Sequence, residues 1–142
     1  MGEKRITTGD STEAGTEAPV KKVASRKRHA VGMLHIQSTY NNTKMMLADS
    51  GGNALAWSSS GALGFKGAKK GTPFAASKLG ELLAEKAAAI GIKDVAVAIN
   101  GVGSGREAGL RSFLAKGIGL LSIADITPVP HNGPRAPRAR RV

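Results

Sequence analysis

The chain has 142 residues, with 21 Lys and Arg against 10 Asp and Glu, a net charge of +11 and no cysteine. That suits one domain with a polyanionic partner, and it excludes disulfides, thiolate metal sites and cysteine nucleophiles. No apolar run nears the roughly 18 residues of a spanning helix, so no membrane is expected, and the opening residues lack the apolar stretch of a secretory signal.

The charge is unevenly placed. In residues 1–20, Lys4 and Arg5 are outnumbered by Glu3, Asp10, Glu13 and Glu17. Rich in Thr, Ser and Gly and poor in apolar residues, this stretch buries too little surface to offset the entropy of ordering. Next come Lys21, Lys22, Arg26, Lys27 and Arg28, with no acid between them. Residues 1–28 are therefore expected to form a disordered tail ending in a basic run. A nearly balanced body spans residues 29–128. A basic tail over 129–142 carries Arg135, Arg138, Arg140 and Arg141 and no acid. Such arms suit phosphate neutralisation and counterion release.

Within the body, residues 31–38 (Val-Gly-Met-Leu-His-Ile-Gln-Ser) read as a strand. Tyr40-Asn41-Asn42-Thr43 follows as a turn, because Asn tolerates left-handed backbone. Residues 44–48 and 54–58 are two more strands, separated by the turn signal Asp49-Ser50-Gly51-Gly52-Asn53. Residues 59–71 hold four glycines, three lysines and no acid, and fit neither helix nor strand. Thr72-Pro73 opens a helix. Leu79, Leu82, Leu83 and Ile90 keep its spacing with Ala87 beside them, Lys86 interrupts the stripe at its edge, and Gly91 stops it. The run Asp94-Val-Ala-Val-Ala-Ile99 shows no alternation, as expected of a strand covered on both faces. After a glycine loop, residues 106–116 form a second helix and 120–127 a last strand. The order β-β-β-α-β-α-β predicts a three-layer α/β/α domain around a mixed five-stranded sheet.

Two glycine-rich loops carry the candidate chemistry. In residues 61–71 the glycines let main chain approach a nucleic-acid backbone, and Lys66, Lys69 and Lys70 bring charge. Phe65 there either stacks on a base or packs under the loop. Gly101-x-Gly103-x-Gly105-Arg106 follows a strand and opens a helix. It lacks the full dinucleotide fingerprint and the Gly-Lys-Ser/Thr of a phosphate loop. An RNA-phosphate contact is the favoured reading, with Arg106 as a planar donor fork at a helix N-terminus. The alternative is a tight loop that needs glycine geometry.

Catalytic groupings are sparse. His29, His35 and His131 lie in different elements without metal spacing. Glu81 and Glu85 sit one helical turn apart, as on an exposed face. Asp49 and Asp125 lie at strand ends, where a metal-dependent nuclease would use such a pair, but no third ligand accompanies them. No enzyme activity, metal or cofactor is expected.

The ordered blocks together resemble the small-subunit ribosomal protein eleven family, in its bacterial form. They are His35-Ile36 with Tyr40-Asn41-Asn42-Thr43, then Asp49 with Gly52-Asn53-Ala54-Leu55 and Trp57. Gly64-Phe65-Lys66-Gly67, Lys69-Lys70 and Thr72-Pro73-Phe74-Ala75-Ala76 follow. Gly101-x-Gly103-x-Gly105-Arg106-Glu107, Ile126-Thr127-Pro128-x-Pro130-His131-Asn132-Gly133 and Arg140-Arg141-Val142 complete the set. The resemblance implies a ribonuclease-H-like fold without the nuclease carboxylates. It implies binding to the central and 3′ regions of small-subunit rRNA on the platform, beside the exit-site mRNA path and the Shine–Dalgarno helix. The implied neighbours are small-subunit proteins seven and eighteen and, in many bacteria, twenty-one. A cytoplasmic ribosome is expected, and an organellar one fits equally. Contacts carried over by the resemblance are Asn41, Asn42, the loop from Gly64 to Lys70, Arg106, and the tail from His131 and Asn132 to Arg141. Two departures stand out. Pro134 occupies a position where bacterial members usually have Cys, and residues 1–20 are longer and more acidic than the family pattern.

Overall fold

A computed structural model describes residues 30–137. The expected tail over 1–28, with Lys21, Lys22, Arg26, Lys27 and Arg28, lies outside the described residues, as do Arg138, Arg140 and Arg141.

The sheet opens with a meander, β1 (Val31–Ser38), β2 (Thr43–Asp49) and β3 (Ala54–Ser59). A 3-10 turn over Gly67–Gly71 leads into α1 (Pro73–Ile90), followed by β4 (Asp94–Asn100), α2 (Gly105–Leu114) and β5 (Gly119–Asp125). The strand order is β3-β2-β1-β4-β5. β2 is antiparallel to both its neighbours, whereas β4 is parallel to β1 and β5 to β4.

Local chemistry sets most boundaries. The Thr72 hydroxyl accepts from the Ala75 N–H at 3.4 Å and Pro73 takes the first helical position. Gly91 ends α1 in the left-handed region at φ 94, where a side chain would crowd the backbone.

The predicted α/β class, mixed five-stranded sheet and element order hold, but the number of layers is two. α1 and α2 pack on each other, and one core joins Leu34, Ile36, Met45, Leu47, Val95, Val97 and Ile99 of the sheet to Leu79, Leu83 and Phe113 of the helices. The reason is topological. Both crossovers, β3 to β4 and β4 to β5, step the same way across the sheet, and a right-handed rule then sends both helices to the same face. Among the described residues the other face is open, and Met33, Met46 and Trp57 are exposed on it. The doubly covered β4 is corrected with it. Val95, Val97 and Ile99 are buried, whereas Ala96 and Ala98 between them are only partly covered. Small alanines on the outer face disguised the alternation as an apolar run.

The helices approach closely. A Cβ on Gly80 of α1 would collide with the Gly109 carbonyl oxygen of α2. The apolar stripe predicted from Leu79, Leu83 and Ala87 thus omitted further small residues that α1 buries, Ala75, Ala76, Gly80 and Ala84.

Candidate nucleic-acid interface

Strand direction brings the candidate loops together. β1, β3, β4 and β5 all run one way, so their C-terminal ends lie at one end of the sheet, with the N-termini of both helices. Open α/β sheets bind ligands outside this end. Here it gathers the β1–β2 turn, the lysine loop after β3, the glycine loop after β4 and the chain leaving β5.

The loops are locked to each other. The turn closes with the Thr39 N–H donating to the Asn42 carbonyl at 2.9 Å. Behind it, the buried hydroxyls of Ser38 and Thr43 share a 3.2 Å hydrogen bond. The Ser60 N–H donates to the Thr43 carbonyl at 2.9 Å, and the Gly103 N–H donates to the Ser38 carbonyl at 2.9 Å. The Ser104 hydroxyl donates to the Gly71 carbonyl at 3.0 Å, bridging the two glycine-rich loops. A Cβ on Gly71 would strike the Tyr40 carbonyl, and one on Gly103 would strike the Thr39 carbonyl. Gly101 adopts φ 99 against Ser38. The glycines of the β4–α2 loop therefore serve close packing against the hairpin.

Arg106 stands at the start of α2 as predicted, but it works inward. Its guanidinium donates to the Gly101 carbonyl at 2.6 Å and to the Asp125 carboxylate at the end of β5. The Thr127 hydroxyl and N–H also donate to Asp125, at 2.6 and 2.9 Å. Together, Thr127 first and then Arg106, they lower the Asp125 pKa from 3.8 to about 2. Glu107 lies in the first turn of α2, whereas the first turn of α1 has no acid. An anion therefore meets a more favourable field at α1, next to the lysine loop.

In that loop Lys66 and Lys69 are exposed and Lys70 is half-buried. Lys69 and Lys70 sit in the 3-10 turn, which the Thr72 hydroxyl ties down by donating to the Lys69 carbonyl at 2.7 Å. Phe65 is half-buried and meets Phe74 edge-on, with ring centroids 6.1 Å apart. This is the packing arm of the two readings. Phe74, 64% exposed, is the ring that faces solvent, and sequence reasoning passed over it. The available signal was its place beside Pro73, off the buried positions Ala75, Ala76 and Leu79.

Asn41 is exposed and Asn42 half-buried, with its Oδ1 buried. His131, Asn132 and Arg135 are exposed in irregular chain, and Asn132 has φ 57. The described hydrogen bonds that anchor this segment lie upstream. The Ile126 N–H donates to the Ile99 carbonyl at 2.8 Å, and the Gly101 N–H to the Thr127 hydroxyl at 3.1 Å. Asp49 and Asp125 do not meet. Asp49 aligns with Gly32 at the start of β1, whereas Asp125 aligns through Ile99 with Ile36. Four residues of strand rise, about 13 Å, separate the two levels, with two strands between them. A shared metal is therefore ruled out by geometry.

A two-layer α/β body that concentrates lysines and loop main chain at one end of its sheet presents an end that suits a polyanion. The sequence profile of the ribosomal protein S11 family matches residues 32–141, and the chain belongs to that family. The resemblance seen in the ordered motif blocks is thereby borne out. Membership makes it a small-subunit ribosomal protein, an rRNA-binding part of a ribonucleoprotein in translation, with a structural role. Among the described residues no helix is long and apolar enough to cross a membrane.

Proposed function

We propose that this chain sits on the platform of the small subunit. There it holds the central and 3′ regions of small-subunit rRNA, beside the exit-site path of mRNA and the Shine–Dalgarno helix. Small-subunit proteins seven and eighteen and, in many bacteria, twenty-one are its neighbours in a cytoplasmic ribosome. The grip has three parts: the loop cluster with Asn41, Asn42, Lys66, Lys69 and Lys70, the basic run with Lys21, Lys22, Arg26, Lys27 and Arg28, and the tail from His131 to Arg141. Arg106 acts as a strut that sets where the tail departs, and Phe65 holds the lysine loop to α1. The observation that carries this reading is the acid-free lysine loop, tied to the hairpin turn at the C-terminal ends of four strands.

Filter binding of the full chain to a central-domain rRNA fragment tests it. Lys66, Lys69 and Lys70→Ala together are expected to weaken binding at every salt concentration. The log–log salt slope becomes shallower by about 2 to 3. Unchanged affinity and slope would sink the loop's role. Hydroxyl-radical footprints confined to the 5′ domain would reject the platform location.

A further inference from the structure

The open face of the sheet carries chemistry that the loop cluster does not use. Register lines it up: Trp57 stands opposite Met46, and Met46 opposite His35. One row nearer the loop end, Lys44 stands between Gln37 and Ser59. Trp57 is the only tryptophan in the chain and is 67% exposed. A large amphipathic ring left in water on an open sheet face marks a contact surface.

Two hollows adjoin there. One, of about 240 Å³, is lined by Trp57, Met46, His35, Gln37 and Lys44 among others. The other, of about 210 Å³, is lined by Gln37, Thr39, Asn42 and Lys44. They share Gln37 and Lys44, and no acid lines either. Asn42 lines the second hollow with its amide, and its buried Oδ1 has no hydrogen-bond partner among the described residues.

The geometry points to a second RNA site on this face, holding one unpaired nucleotide of the rRNA. The base stacks on the Trp57 indole beside Met46, Lys44 meets the phosphate, and Gln37 and Asn42 face the base edge. Every base has a π-face to stack and a polar edge to read, which matches a hollow that is aromatic at one end and amide-lined at the other. A protein segment would also cover Trp57 and Met46. It would have to bring its own carboxylate to Lys44, whereas a nucleotide carries the anion and the stacking ring together, so the cationic, acid-free lining favours the nucleotide. The inference rests on the rRNA-binding role, but it is independent of the loop cluster.

Trp57 reports on its own site, because no other indole contributes emission. The full chain is titrated with a single-stranded adenylate hexamer and with a duplex of equal length. Binding of the rRNA fragment is followed by filter retention under the same conditions. The single strand is expected to quench Trp57 saturably and the duplex to leave it unchanged. Read by anisotropy of an end-labelled hexamer, Trp57→Ala and Lys44→Ala are each expected to weaken binding about tenfold, whereas Trp57→Phe retains most of it. The far-UV circular dichroism of the variants stays that of the parent. If rRNA is retained while neither hexamer nor rRNA alters Trp57 emission, this site is overturned and the loop grip stands. Loss of rRNA retention itself would instead count against the proposed function. An emission shift that needs other small-subunit proteins and not RNA would give the face to a protein and also overturn the site.

Discussion

Asp125 accepts from the Thr127 hydroxyl and main chain and from Arg106, and these bonds hold its carboxyl down from 3.8 to about 2. A carboxylate depressed by folding contributes stability above its unfolded pKa and loses it as pH falls through its folded value. Stability is therefore expected to drop as pH falls from 3.8 towards 2, and Asp125→Asn should remove that part of the dependence. Urea midpoints across this range check it. Arg106→Ala should cost about 1–2 kcal/mol through the lost charge-assisted bond to the Gly101 carbonyl. Sequence marked Arg106 by its place after a glycine series, and read it as a phosphate ligand. Its carboxylate partner lies nineteen residues on, and only the parallel pairing of β4 with β5 brings that partner to it. The same holds for Asn42, which reads locally as a turn residue. The burial of its Oδ1 depends on the packed hairpin end.

Elements divide by how local their causes are. Thr72, Pro73 and Gly91 bound α1 through their own main-chain chemistry, so both ends were readable. The 3-10 turn over Gly67–Gly71 was not, because it is pressed against Tyr40 of a distant hairpin and bridged by Ser104. Helix packing is likewise a long-range matter. Gly80→Ala forces α1 away from the Gly109 carbonyl, at a cost of about 1–3 kcal/mol. Phe113 is fully buried between helix and sheet, and Phe113→Ala should cost about 3–5 kcal/mol. Chemical denaturation of each variant measures these losses. A Gly80→Ala protein as stable as the parent would show that the helices have room to separate.

For the whole molecule, charge placement governs binding to RNA. In the proposed function the C-terminal arm shares the grip. Arg135, Arg138, Arg140 and Arg141→Ala together should weaken rRNA binding and make the salt slope shallower by about 3. A filter-binding series against salt reads both quantities, and an unmoved slope would remove the arm from the interface. The amino-acid sequence by itself determined the five strands and two α-helices, the basic excess and the family, because propensity, capping, turn chemistry and ordered motifs are properties of neighbours along the chain. Only the tertiary structure decided that both helices share one face, that Arg106 turns inward, and that Trp57 is left on an open sheet. Those outcomes depend on the direction in which each crossover steps across the sheet, and strand order is set by pairings between residues far apart in sequence.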